Sequence, residues 1–233
     1  MSDISVTAPA GKASPTSPGS VYEMIREDII SGRLLPNARL KVAEIATRYR
    51  TSTNPVREAL QQLRGEGFVH MEPNRGARVV SIDEGFVRDI IEIEILIEAS
   101  LTRWFVGIAT DSDIAELEGI QREIEANDYR DGLLHGQLDT RFHQVIYDRH
   151  YNRHAADLWW KHREILRAIS RRFPTSLSRR GAVIREHREL LACIRRQDGD
   201  GAAAVVGRHV EGSGRHIIEQ MGLARRQGPR RDP

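Results

Sequence analysis

Eight of the nine histidines in this 233-residue chain lie beyond residue 130, a density that raises the question of metal chemistry. Asp139 and His143, in DTRFH, stand four apart and so share one face of a helix. His187, in EHRELL, and His209, in GRHVEG, fall on later helical segments. Three neutral imidazoles and one carboxylate suit a borderline-soft divalent ion: zinc first, with nickel, iron or manganese according to geometry and supply. Spacing alone leaves other readings open. Scattered helical histidines serve equally well as solvated polar residues, and His135 and His216 compete because each lies on about the same face as one proposed ligand. Catalysis finds little support, since no H-E-x-x-H supplies a general base and no adjacent His-Asp dyad of the metal phosphohydrolase type occurs. A metal with an open position could still activate water. A helical metal-dependent enzyme fused to the N-terminal unit is therefore the alternative to a binding role.

A second group of residues with recognition chemistry lies in TSTNPVREALQQLRGEGFV, residues 51–69. Val56, Ala59, Leu60 and Leu63 recur at helical spacing and can pack, while Thr53, Asn54, Arg57 and Gln61 occupy the opposite face and can hydrogen-bond. Ser52 can cap the first turn, Pro55 fits near a helix start, and Gly65 and Gly67 end the helix before Phe68 and Val69. This has the make-up of a DNA-reading helix, although an ordinary amphipathic helix would show the same pattern.

Positioning these groups requires particular elements. Residues 1–19 are small and rich in Pro, Gly and Ser, as expected of a disordered arm. Ser20 precedes the amphipathic segment VYEMIREDII, LLPNARL turns the chain, and Lys41 to Arg50 supply a second short helix. With the third helix this is the order of a helix-turn-helix unit. FVHMEPNRGARVV completes it as two extended runs joined at Pro73, Asn74 and Gly76, a hairpin wing that carries Arg75 and Arg78. From Ser81, which with Glu84 could form a capping box, the pattern becomes helical to residue 221. DIIEIEILIEASLTRWFVGIA is apolar on nearly every side, which predicts the core of a bundle or of a subunit interface. Further helices are predicted near 112–126, 131–149, 152–172, 175–197 and 200–221, with a flexible tail over 222–233.

The pieces IREDIISGRLLPNARL, NPVREALQQLRGEGFV and PNRGARV resemble the GntR family of bacterial transcription regulators over residues 20–80. Pro36-Asn37 stands where the family usually has Pro-Gly, and Thr53 where it usually has an Arg that often reaches a guanine. LIEASLTRW, DTRFHQVIYDRHYN and EHRELLACIRRQDGDGAAAVVGRHV resemble the helical FCD effector domain of the FadR-like branch, covering residues 81–221. In that resemblance Asp139, His143, His187 and His209 take the places of the metal ligands. Glu94 stands where relatives often have an Arg that holds an effector carboxylate, whereas Glu98 matches the family. An acid at Glu94 implies either an effector with a donor group on that side, such as a sugar acid or amino-acid-like compound rather than a plain dicarboxylate, or an internal pair with Arg141 or Arg167.

Composition fits these expectations. The single cysteine, Cys193, allows no internal disulfide, no apolar run suits a membrane span, and no N-terminal stretch resembles a secretion signal. A cytoplasmic location without membrane association is expected. The net charge of +2 is uneven, with the basic excess in residues 20–80 and the final tail. The sequence thus predicts a mainly α chain, a winged helix-turn-helix followed by an all-helical FCD-like bundle. The resemblance implies a homodimer on a pseudo-palindromic double-stranded DNA operator, its reading helices ~34 Å apart and governed by a metal and a small carboxylate-type metabolite.

Overall fold

The structure, a computed structural model, describes residues 20–72, 76–173 and 175–227. The arm expected over 1–19, the wing residues Pro73, Asn74 and Arg75, and residues 228–233 lie outside these. The chain divides into two compact units after Val80.

The first unit opens with α1 (Val21–Ile30), where Ser20 Oγ accepts the amide of Glu23 at 3.2 Å. LLPNARL does more than turn the chain, because it contains a two-residue strand, β1 (Arg39–Leu40). Two residues are too few to show alternation, so periodicity could not reveal it. Asn37 ahead of it adopts φ +63°, a conformation that Asn tolerates in place of Gly. Helices α2 (Val42–Arg48) and α3 (Thr53–Gly65) follow, then β2 (Val69–Glu72) and β3 (Gly76–Val79). The antiparallel sheet has the order β1-β3-β2, with Arg39 opposite Arg78 and Val69 opposite Val79. Ser52 holds the N-cap position of α3, but its side chain makes no capping hydrogen bond, contrary to expectation. Ile25, Val56, Leu63 and Phe68 form the buried centre, each side chain contributing about 1.5 to 3 kcal/mol by leaving water.

The second unit is helical throughout among the described residues: α4 (Glu84–Val106), α5 (Asp111–Asn127), α6 (Gly132–Tyr147), α7 (Arg153–Ser170), α8 (Leu177–Arg195) and α9 (Gly199–Gln227). The cap of α4 differs from expectation. Asp83 Oδ1 accepts the amide of Phe86 at 3.0 Å, and Ser81 donates to Asp83 Oδ2 at 2.8 Å. Ser81 therefore orients the capping carboxylate from outside the helix, and no Ser81–Glu84 box forms. Within one chain α4 is not buried all round, since Ile93 and Leu96 are 42% and 74% exposed, which leaves the subunit-interface alternative open for that face. Phe105, Phe142, Ile146, Tyr147, Trp159 and Leu190 belong to the main hydrophobic core. Helix α9 packs along α4 so closely that a Cβ on Gly214 would overlap the Ile91 side chain, so a larger residue there requires Ile91 to move. It continues past Met221, where a tail was expected, and Arg225 lies 3.7 Å from Glu84 in the first turn of α4. Among the described residues no helix is long and apolar enough to cross a membrane.

Candidate metal centre, adjoining cavity and DNA-reading face

Helix α6 presents Asp139 and His143 on one face, α8 brings His187 and α9 brings His209. All four are buried, and one candidate ligand atom from each lies within 4.8 Å of the others. The imidazoles are oriented from behind. Gln121 Oε1, on α5, accepts from His187 Nδ1 at 2.9 Å, and Glu186 Oε2 accepts from His209 Nδ1 at 2.9 Å. His143 Nδ1 lies 3.4 Å from Tyr147 Oη, which itself donates to Glu98 at 2.7 Å. The opposite atoms, His143 Nε2 and His187 Nε2, are buried without any hydrogen-bond partner. Leaving a polar atom dry and unpaired costs about 1 to 3 kcal/mol, so the fold bears a cost that a cation between these nitrogens would remove.

The electrostatics agree with this donor set. Burial pushes the His187 imidazolium down to about 3, helped by nearby His209, and burial likewise holds His143 well below its usual value. Both rings are therefore neutral at physiological pH, the form in which an imidazole can ligate a cation. Burial alone would raise Asp139, but Arg163 and the three imidazoles outweigh it and keep the carboxyl well below its usual value. The Arg163 guanidinium, on α7, donates directly to Asp139 Oδ2 and also to Thr140 Oγ1 at 3.2 Å. Asp139 Oδ1, by contrast, faces His187 Nε2 at 3.5 Å. The residues present thus fit a divalent ion, with Asp139, His143, His187 and His209 to hold it.

Beside this cluster lies a cavity of about 550 Å³ to which Asp139 and His209 contribute. Tyr129, His135, Arg163, Arg179, Arg180 and His216 also line it. His135 and His216, considered as rival ligands, are thus wall residues. Glu94 does not reach the wall. It is 2% exposed, and its Oε1 lies 2.7 Å from His162 Nδ1. Burial lifts the Glu94 carboxyl to about 8 and depresses His162 to about 4, so both are neutral partners in a hydrogen bond. The arginines considered as its partners pair elsewhere, Arg141 with Glu116 and Arg167 with Glu164. Sequence reasoning missed His162, Arg163, Gln121 and Glu186, whose roles depend on pairings between distant helices. One local sign was available: Arg179 and Arg180 both fall in the first turn of α8, where the helix dipole disfavours positive charge.

In the first unit, α3 buries Val56, Ala59, Leu60 and Leu63 and exposes Thr53, Asn54, Arg57 and Gln61, with Ser52 exposed at its cap. Arg78 is committed within the wing, donating to Glu72 at 3.0 Å and to the Asn37 carbonyl at 2.8 Å. Arg75 lies outside the described residues.

A winged helix-turn-helix joined to a helical unit with a buried His/Asp cluster is the plan of a DNA-binding transcriptional regulator. The comparisons identify the group. Residues 19–79 match the family described as bacterial regulatory proteins, gntR family, and residues 89–212 match the FCD domain. The chain belongs to the GntR family of transcriptional regulators, with an FCD domain as its second half. It is 27% identical over 209 residues to the HTH-type transcriptional repressor RspR of Escherichia coli (strain K12), covering 84% of this chain and 88% of that one. It is 25% identical over 214 residues to the galactonate operon transcriptional repressor of the same strain, covering 83% and 93%. Among solved structures, E. coli McbR/YncC shares the fold with a TM-score of 0.64 at 19% identity, over 86% of this chain and 96% of that one. The metal-free FCD domain of TM0439 aligns with a TM-score of 0.51 at 22% identity, over 62% and 99%. The family and these relatives are regulators, so the reading of the helical unit as an enzyme is set aside.

Proposed function

We propose that this protein regulates transcription in the cytoplasm as a homodimer whose operator affinity is set by a small carboxylate-bearing metabolite bound beside a divalent metal, zinc first among the candidates. Asp139, His143, His187 and His209 hold the ion, and the cavity receives the metabolite, whose carboxylate takes a position the protein leaves open. The observation that carries this reading is the pair of buried, unpartnered nitrogens, His143 Nε2 and His187 Nε2. A relative named for a galactonate operon supports the same ligand class. Recognition of the acid falls to the arginine-bearing wall rather than to Glu94, which is occupied by His162. On the DNA side, Ser52, Thr53, Asn54, Arg57 and Gln61 read a pseudo-palindromic double-stranded site, with Arg75 and Arg78 of the wing beside it. Ile93 and Leu96 give α4 an exposed apolar strip for a second copy. Elemental analysis of protein purified without a histidine tag tests the central point. About one divalent ion per chain, lost in His187→Ala/His209→Ala, is expected; a stoichiometry near zero overturns it.

A further inference from the structure

The charge on the cavity wall is unbalanced. Arg163, Arg167, Arg171, Arg179 and Arg180 line it, against the single carboxylate of Asp139. Three of these arginines are matched by acids: Arg163 by Asp139, Arg167 by Glu164 and Arg179 by Glu186. Among the described residues, Arg171 and Arg180 have no carboxylate partner. Arg171, exposed to solvent, is the C-cap of α7 and the half-buried Arg180 lies in the first turn of α8, so the two flank one short connection at the open side of the cavity. The Arg180 Nε donates to the Thr175 carbonyl at 2.9 Å, and its guanidinium carbon sits 5.0 Å from the Tyr129 ring centroid, which holds the side chain in place.

The same wall carries unmet polar atoms. Tyr129 Oη and His135 Nδ1 are buried without partners, on rings stacked at 3.6 Å. Tyr129 also adopts φ +57°, a costly conformation for a bulky residue. A divalent ion at Asp139 and His209 adds further positive charge, while Asp139 is already matched by Arg163. A ligand with one carboxylate would leave Arg171 and Arg180 uncompensated at the other end.

We infer that the cavity takes a dianion, with one anionic group at the metal and the second, a carboxylate or a phosphate, at Arg171 and Arg180. The polar middle of the ligand lies along Tyr129 and His135. This rests on the metal-and-carboxylate reading above and adds to it a second anion subsite on the α7–α8 side. Guanidinium groups form strong charge-assisted bonds to either oxyanion, so the subsite accepts both and the probes must separate them.

The test is calorimetric titration of full-length, zinc-loaded protein with unbranched monocarboxylates of four to six carbons, the dicarboxylates of equal length, and the ω-phosphonocarboxylates of equal length. Metal content is measured after each titration, so that stripping of zinc by the ligand is seen. The best dianion should bind about tenfold or more tighter than its matched monocarboxylate. That advantage should shrink to within about threefold in Arg171→Gln/Arg180→Gln, with monocarboxylate affinity unchanged. Arg180→Lys, which keeps the charge, should retain most of it, and thermal melting of each variant reports whether the bundle is intact. A larger advantage for phosphonates than for dicarboxylates identifies a phosphate ligand, and the reverse a dicarboxylate. Monocarboxylates that bind as tightly as every dianion, or a dianion advantage that survives in the double variant, overturn the second subsite and leave the carboxylate reading standing. Zinc-loaded protein that binds none of these acids overturns both.

Discussion

Glu186 and His209 are joined by a hydrogen bond of 2.9 Å between a carboxylate on α8 and the Nδ1 of a ring on α9. Arg179 holds the other oxygen of Glu186 at 3.0 Å, and it also donates to the His209 carbonyl at 2.9 Å and to Ser213 Oγ at 2.8 Å. His209 and Arg179 hold the Glu186 carboxyl down at about 2 against the opposing effect of burial, so it is a permanent anion behind the ring. Replacing it by Gln weakens this support without removing it. Groups that orient a ligating histidine typically control metal affinity by about 10- to 100-fold, so competition with a chromogenic chelator should show a loss in that range for Glu186→Ala and a smaller one for Glu186→Gln. Unaltered affinity in Glu186→Ala would show that the ring is placed by packing alone.

Metal removal should loosen the bundle. The four candidate ligands come from α6, α8 and α9, so an ion between them links three helices. Stabilisation by a bound ion grows with its saturation, about 4 kcal/mol at a thousand times the dissociation constant. A chelator should therefore lower the melting temperature by several degrees, and zinc should restore it. His187→Ala/His209→Ala should melt at the same temperature with and without chelator.

On the DNA side, Arg57 is exposed one turn into α3, while Arg78 is already engaged by Glu72 and Asn37. Arg57→Ala should weaken operator binding by about 1 to 3 kcal/mol if it reads a base, or flatten the salt slope by about one if it contacts phosphate. Arg78→Ala should have the smaller effect, acting mainly through the shape of the wing. Gel-shift titrations at several salt concentrations separate the cases.

Glu94 gives a pH prediction of definite sign. Its carboxyl, raised from 4.5 to about 8 by burial, keeps its proton in the fold and loses it on unfolding at much lower pH. The native state then binds the extra proton, so this residue costs stability progressively as pH rises from about 4.5 to about 8. Glu94→Gln, close in shape to the protonated acid, should match wild type near pH 4 and gain on it up to pH 8. Denaturant titrations at several pH values check this. A variant less stable than wild type at pH 7.5 would mean that Glu94 is ionised and paired with charged His162.

How much of this could be read from the chain depends on the range of the interaction. The α3 helix was legible because its buried and exposed faces separate at helical spacing, from Val56 and Leu63 to Arg57 and Gln61. The Asp139–His143 pair was legible as neighbours on one face, whereas adding His187 and His209 required the family resemblance, because spacing cannot bring distant helices together. The cap of α4 was misread since Ser81 and Asp83 are both capping types, and only geometry decides which carries the Phe86 amide. The all-round apolar character of α4 does not tell which residues pack within the chain and which, like Ile93 and Leu96, are left on its surface. Glu94 looked like an effector contact until His162 lay beside it; a histidine 68 positions away leaves no local sign.

Helix α9 is a single rod. At about 1.5 Å per residue, the 16 positions from His209 to Arg225 span roughly 24 Å, from the His/Asp cluster to the first turn of α4. Between them, Gly214 rests directly on Ile91 with no side chain to cushion the contact, which makes that point a fulcrum. Five positions separate His209 from that point and eleven separate it from Arg225, so a tilt about it would emerge beside Glu84 about twice as large as at His209 and of opposite sense. The length of the rod and the bareness of that contact place the His209 end and the Glu84 end of α9 on one lever.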